Sequence, residues 1–296
     1  MSTLFVTGAG GYLGRRFLER IPPGRFRKIV CLVRRRPECA SRADLEFVRG
    51  DLLDTPAYAA ALSSCDTVLH LAAVTGKARP EDYFRVNRDG TRALVEQCRR
   101  SGIGRFLHVS TIAAKFSDQS RYYYAQSKSQ AEQIVRSSGL RCIILRPTMI
   151  IGPGSPLLEG LARLAAAPLL PLPGDGRARV QPIHVDDLAD AILALLETGA
   201  FEGQTLEAGG SEILSIEEFL RRIARARGRQ ARVLHVPARV VIPLIGWIEK
   251  LLPFLPVTAG QLTSLTSNGT VEGDSLPPAP RAARDLDEAL RLTPCL

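Results

Sequence analysis

The sequence predicts an α/β protein built on a doubly wound parallel sheet, with a smaller, mainly helical C-terminal part. Three observations carry that expectation. Short apolar runs alternate with helix-like stretches through the first 200 residues. The first run, Leu4-Phe5-Val6, passes directly into a glycine turn and a charged helix-forming stretch, Arg15 to Arg20. The 296 residues are 45% hydrophobic and 23% charged, which suffices for one large domain with an appendage.

The glycine turn reads Thr7-Gly8-Ala9-Gly10-Gly11-Tyr12-Leu13-Gly14. A strand, a tight turn and a helix N-terminus together make a cradle for a diphosphate. Residues without Cβ let the backbone approach the ligand, and the free N–H groups of the helix start face the anion. Gly8, Gly11 and Gly14 set the spacing and Gly10 adds slack. The context, strand before and helix after, is what makes the motif specific.

The second strand is Lys28 to Val33, followed by Arg34-Arg35-Arg36. In a dinucleotide site, an acid at this strand end binds the ribose hydroxyls and an arginine accepts a 2′-phosphate. The acid position holds Val33, so Arg34 and Arg35 point to NADP(H), with NAD(H) the alternative. Leu45 to Leu52 is the third strand, with Asp51 at its exit facing the adenine or forming a turn. Pro56 opens a helix. Asp66 to Ala73 is the fourth strand, whose small end residues suit a close-lying ribose and nicotinamide; His70 within it is expected to be structural. A long helix runs over Pro80–Arg100. Phe106 to Thr111 is the fifth strand and ends in two hydroxyls, Ser110 and Thr111; Arg141 to Pro147 is the sixth.

Between those last two strands a predicted helix carries Tyr124 and Lys128. Four residues apart, they share a helix face. A phenol titrates near 10, and an adjacent ammonium would lower that value. Tyr124 is then a general acid/base, Lys128 tunes it and holds a ribose, and Thr111 or Ser110 steadies a substrate oxygen. Tyr122 and Tyr123 lack a lysine one turn on.

After Arg146 the composition shifts. Residues 151–177, rich in Pro, Gly and Leu, read as a loop and short helix over the site. The dinucleotide domain is expected to span 1–200 and a substrate-binding cap 201–296. Ser215-Ile216-Glu217-Glu218 signals another helix start. Residues 233–257 are strongly apolar but broken by four prolines. They are too interrupted to span a bilayer and read as a cap or a membrane-surface helix. Net charge is +9, with arginines spread along the chain and only 6% aromatics, which gives no nucleic-acid patch. The six cysteines show no metal or disulfide spacing, so no metal is expected and a cytoplasmic location is. The expected partner is a small-molecule substrate, with a homodimer and peripheral membrane contact through 233–257 as further options.

Taken together, these residues resemble the extended branch of the short-chain dehydrogenase/reductase superfamily, the NAD-dependent epimerase/dehydratase-like proteins. The resemblance rests on the glycine turn, Gly50-Asp51-Leu52, His70-Leu71-Ala72-Ala73, Asn87-Arg88-Asp89-Gly90-Thr91, Val109-Ser110-Thr111, Tyr124/Lys128, Leu145-Arg146-Pro147 with Gly152-Pro153-Gly154, and His184-Val185-Asp186-Asp187. It implies a Rossmann domain. It also implies cofactor contacts from Gly8, Gly10, Gly11, Tyr12, Leu13, Gly14, Arg34, Arg35, Asp51, Leu52, Leu71, Ala72, Ala73, Asn87, Lys128 and Pro147. The catalytic set it implies is Thr111 or Ser110 with Tyr124 and Lys128. Two departures narrow the activity. Ile112-Ala113 replaces the Asp-Glu pair of sugar-nucleotide dehydratases, and the Thr111–Tyr124 interval is short for a sugar-nucleotide epimerase. The expectation is an NADP(H)-dependent carbonyl/alcohol oxidoreductase, ahead of an epimerase or a non-catalytic NADPH-binding subunit of a membrane complex. Residues 233–256 are also similar to complex I 39-kDa-type subunits and sterol-type dehydrogenases.

Overall fold

A computed structural model describes residues 2–35, 42–167, 169–198, 200–251, 258–272, 284–291 and 293. In chain order the elements begin with β1 (Thr3–Thr7), α1 (Tyr12–Arg20), β2 (Lys28–Val33), β3 (Leu45–Arg49), α2 (Pro56–Ser63) and β4 (Thr67–His70). Next come α3 (Pro80–Tyr83), a π-helical turn over Phe84–Gly90 and α4 (Thr91–Arg100), which make one continuous rod. Then follow β5 (Arg105–Val109), α5 (Tyr123–Arg136), β6 (Cys142–Pro147), β7 (Ile150–Ile151), α6 (Pro156–Ala165), β8 (Leu169–Pro173), β9 (Arg179–Val180), β10 (Ile183–His184), α7 (Val185–Thr198) and β11 (Thr205–Ala208). The chain closes with β12 (Leu214–Ser215), α8 (Ile216–Ala226), β13 (Arg232–Val236), α9 (Ala238–Leu251), α10 (Ala259–Leu265) and α11 (Leu286–Arg291).

The central sheet has the order β11-β6-β5-β4-β1-β2-β3, and every pair in it is parallel. This is the Rossmann-like order, which reverses direction at β1/β4 and leaves a crevice there. β1 shows why the strands read as unbroken apolar runs. Leu4 and Val6 pack with α1 and α7 on one face, and Phe5 packs with α2 and α4 on the other.

A second, smaller core is built from Leu158 and Leu161 of α6, Leu170 and Leu172 of β8, Phe219 and Leu220 of α8, and Leu290 of α11. Residues 151–177 hold the expected short helix as α6, followed by β8, and both bury apolar faces in this second core. One expected boundary changes here. The boundary at 200 falls inside the large domain, because β11 pairs with β6 along Thr205–Ala208. The chain leaves the large sheet after β6, returns for α7 and β11, and leaves again. Composition alone does not show that return, because β11 has only four residues.

Ser215 caps α8 by accepting the Glu218 N–H at 3.1 Å, as its sequence signal predicts. Cys31, Cys65, Cys98 and Cys142 are buried thiols; Cys39 and Cys295 lie outside the described residues. So do Arg36, the end of the 233–257 stretch (252–257) and Pro277 to Pro280. Among the described residues no helix is long and apolar enough to cross a membrane.

Candidate active site

The C-terminal ends of β1, β4, β5 and β6 converge on the glycine turn. Gly8 has φ +75°, and a Cβ there would stand 2.6 Å from the Ala72 backbone nitrogen. Thr7 draws that strand end in: its carbonyl accepts the Leu71 N–H and its hydroxyl accepts the Ala72 N–H at 3.2 Å. A Cβ on Gly14 would lie 2.2 Å from the Gly8 carbonyl. Gly10 has open space around it. The turn therefore presents backbone, and the first amides of α1 (Tyr12, Leu13 and Gly14) lack intrahelical acceptors. Tyr12 offers its N–H only, because its hydroxyl is buried toward the Gly152 loop.

Arg34 and Arg35 are exposed at the end of β2. Asp51 is half-buried at the exit of β3 and accepts the Leu53 N–H at 3.0 Å, while the Leu52 side chain packs down against Gly90. Pro147 is buried at the end of β6. Asn87, expected among the cofactor contacts, has its amide engaged within the protein. It is fully buried in the π-helical turn, with its amide bonded to the Val74 backbone at 2.7 and 3.0 Å and to Ser127 at 3.0 Å. It braces the strand-end loop against α5.

His70 is structural, as expected. Its Nδ1 lies 2.7 Å from the Thr7 hydroxyl and its Nε2 2.9 Å from the Thr91 hydroxyl, which itself donates to the Asn87 carbonyl. That chain of donors puts the proton on Nε2. Burial pulls its pKa down to about 3, so the ring stays neutral.

Tyr124 and Lys128 rise from the first two turns of α5. The Tyr124 phenol is half-buried, lies beside the Thr111 hydroxyl, and is flanked by the rings of Tyr83 (6.2 Å) and Tyr122 (5.8 Å). Tyr123 is turned outward, beside Phe84. Thr111 is thus the hydroxyl at the phenol. Ser110 is buried with its Oγ unpartnered. Lys128 is buried, and its Nζ donates to the Val109 carbonyl at 2.8 Å with His108 Nε2 at 3.3 Å.

The expected electrostatics are reversed. Burial pushes the Tyr124 phenol up to about 12, against a smaller lowering by Thr111. Burial pulls Lys128 down to about 7, opposed by the Glu132 carboxylate one turn on. The ammonium does not reach the phenol because Nζ is drawn to the end of β5 instead. Sequence spacing placed the two on one face and gave no sign of this inward turn.

Glu132 belongs to none of the motifs in the sequence. It is buried and held by Arg146 at 2.8 and 2.7 Å and by Arg136 at 3.0 Å. It ties α5 to β6 and supplies the negative charge that faces Lys128. The usable signal was its i+4 position from Lys128, together with the arginine of Leu145-Arg146-Pro147.

Lys128 has a folded pKa below its ordinary 10.5. Between about 7 and 10.5 the unfolded chain binds the extra proton, so its contribution to stability rises with pH across that window. Without bound nucleotide, Lys128→Met is expected to melt above the parent at pH 7, with the margin shrinking toward pH 10. A thermal-melt series across that range checks it, and equal slopes in both proteins would contradict it.

A crevice of about 670 Å³ opens beside the start of α5, with Phe116 and Arg121 on one side and Arg239, Ile242 and Pro243 of α9 on the other. Another, of about 700 Å³, lies at the N-terminal ends of β2 and β3, the end of a parallel sheet where ligands do not bind.

A family model described as the NAD dependent epimerase/dehydratase family matches residues 4–209, the span that holds the large sheet and the glycine turn. The chain belongs to that family. It is 34% identical over 235 residues to a ceramide reductase of Caulobacter vibrioides, covering 78% of this chain and 73% of the relative. It is 27% identical to a 2-alkyl-3-oxoalkanoate reductase of Shewanella oneidensis, covering 80% and 69%. Among solved structures it is similar to a dTDP-glucose 4,6-dehydratase of Streptomyces venezuelae with NAD bound, at 25% identity and TM-score 0.64, covering 78% of this chain and 84% of that one. The protein is therefore an enzyme of the NAD(P)-dependent oxidoreductase and epimerase class.

Proposed function

We propose that this member of the family is an NADP(H)-dependent reductase that converts a ketone on a small amphiphilic molecule to a secondary alcohol, with Tyr124 as proton donor. The observation that carries the reading is the Tyr124 phenol set beside the Thr111 hydroxyl at the end of β5. The glycine cradle, with no room for a Cβ at Gly8 or Gly14, fits a dinucleotide diphosphate. The amides of Gly10, Gly11, Tyr12, Leu13 and Gly14 would hold the diphosphate. Asp51 and Leu52 would bound the adenine, and Leu71, Ala72, Ala73 and Pro147 would line the nicotinamide end. Arg34 and Arg35 would take the 2′-phosphate. When bound, the reduced nicotinamide supplies the hydride.

The protein's part is to hold and protonate the carbonyl. The Thr111 hydroxyl and the Tyr124 O–H converge on its oxygen. As a C–H bond forms at carbon, the C=O π pair moves to oxygen, and Tyr124 delivers its proton there. A phenol held near 12 is protonated throughout the neutral range, and an alkoxide is a stronger base than a phenolate, so the transfer runs downhill. The phenolate regains its proton from solvent. Lys128, beneath the phenol on the same helix face, fixes the end of β5 through the Val109 carbonyl. The crevice sets Lys115, Arg121 and Arg239 with Asp118 and Glu272 around Ile242 and Pro243, a mixed lining that suits a molecule with both apolar and polar parts.

Cofactor choice is tested by titration. The parent is expected to bind NADPH more tightly than NADH, and replacing Arg34 and Arg35 together by serine should cost ~10-fold or more in NADPH affinity while sparing NADH. Equal affinities in the parent would remove the arginines from cofactor recognition. Turnover itself is tested by screening ketones and alcohols against both cofactors for reduced-nicotinamide absorbance.

A further inference from the structure

We propose that α9 and the adjoining strands β8 and β13 form a surface that docks on an anionic lipid bilayer. Val240, Leu244 and Trp247 are spaced i, i+4, i+7 on α9, one stripe of the helix, and are 57%, 50% and 63% exposed. The opposite side of α9 is occupied: Gly246 packs against Arg121 and Ala259, and the Glu249 carboxylate is turned inward to the Ala259 N–H at 3.2 Å. The acidic side chain that α9 carries is thus directed away from the stripe. Beyond its first turn, where Arg239 is exposed, the described residues of α9 are apolar toward solvent and committed toward the protein, the reverse of an ordinary surface helix.

The neighbouring strands continue the pattern. β13 pairs in parallel with β8, with Arg232 beside Leu169 and Leu234 beside Pro171. Leu169, Pro171, Arg232 and Leu234 are all exposed. Strand alternation puts Arg232 and Leu234 on one face, so a cation sits at the edge of the apolar surface. Arg239 is exposed in the first turn of α9. No carboxylate pairs with Arg232 or Arg239 among the described residues. An apolar stripe carrying a tryptophan and edged by unpaired arginines complements the interfacial zone of an anionic bilayer, where indole rings and arginine stems are at home. A second copy of the chain is the poorer occupant. A two-fold contact would bring two patches of the same positive sign together, in a protein of net charge +9.

The docking does not depend on the redox reading. It has one consequence for that reading: Ile242 and Pro243, elsewhere on α9, line the crevice beside α5, so the docked helix would bring the crevice close to the lipid.

The chain has a single tryptophan, so its emission reports on this stripe alone. The full chain is titrated with phosphatidylglycerol vesicles and, separately, phosphatidylcholine vesicles, and bound protein is measured by co-sedimentation. The expected result is a blue shift and co-sedimentation with phosphatidylglycerol, much weaker with phosphatidylcholine and reversed by salt. Leu244→Glu, at an exposed site and with the probe retained, is expected to lower vesicle affinity ~10-fold or more; far-UV circular dichroism confirms that it is folded. Absence of any shift overturns the proposal. So does equal binding to both lipids, unchanged binding by Leu244→Glu, or a lipid-free blue shift that grows with protein concentration, which would assign the surface to a dimer.

Discussion

Tyr124→Phe is expected to lower kcat for ketone reduction about 10²–10⁴-fold, the range typical of a positioned general acid, while nucleotide affinity stays within a factor of two or so of the parent. The ring keeps its packing between Tyr83 and Tyr122, so the variant removes the proton and little else. Thr111→Val should lose less, because the phenol remains and only its partner is gone. Since burial holds the phenol near 12, the reductive rate should show no loss from phenol ionisation between pH 6 and about 10. Single-turnover absorbance of the reduced nicotinamide checks both statements. A Tyr124→Phe rate within tenfold of the parent would take the phenol out of the mechanism.

The second large effect belongs to Gly8. At φ +75°, with the Ala72 nitrogen 2.6 Å from where a Cβ would stand, any side chain meets backbone on the neighbouring strand. Gly8→Val should cost at least ~2 kcal/mol of stability, from left-handed strain and the displaced strand end together. Nucleotide binding should fall below detection. Gly10→Ala, two residues on, has open space and should keep both stability and affinity within a few tenths of a kcal/mol or so. Thermal melts and a nucleotide titration on this pair separate a backbone requirement from a general preference for small residues. Equal behaviour of the two variants would contradict the geometry.

Much of the large domain was legible because its cause is local. Strands buried on both faces must read as apolar runs, as β1, β2 and β5 do, and the glycine turn must sit where backbone meets backbone. The Tyr124/Lys128 pair was legible because helical periodicity is fixed. What the sequence hid depends on contacts distant along the chain. β11 joins the sheet through β6, about sixty residues earlier, and its four residues carry no pattern strong enough to show it. The inward turn of Lys128 is decided by the Val109 carbonyl and by His108, twenty residues before it. Asn87 belongs to a recognisable motif, yet its partners at Val74 and Ser127 make it a brace. The apolar stretch 233–257 gave no strand, but Arg232–Val236 pairs with β8, and only that pairing shows which faces of β13 and α9 stay exposed.

In a reductase, hydride leaves a reduced nicotinamide and stays on a ketone carbon. The direct test is turnover with NADPH deuterated at the transferred position of C4, using a panel of 3-oxoalkanoates and long-chain ketones, with product mass and cofactor label read together. A reductase gives an alcohol carrying one deuterium and an oxidised cofactor without label. An isomer of unchanged mass, with the label retained in the cofactor, would contradict the account and make the protein an epimerase.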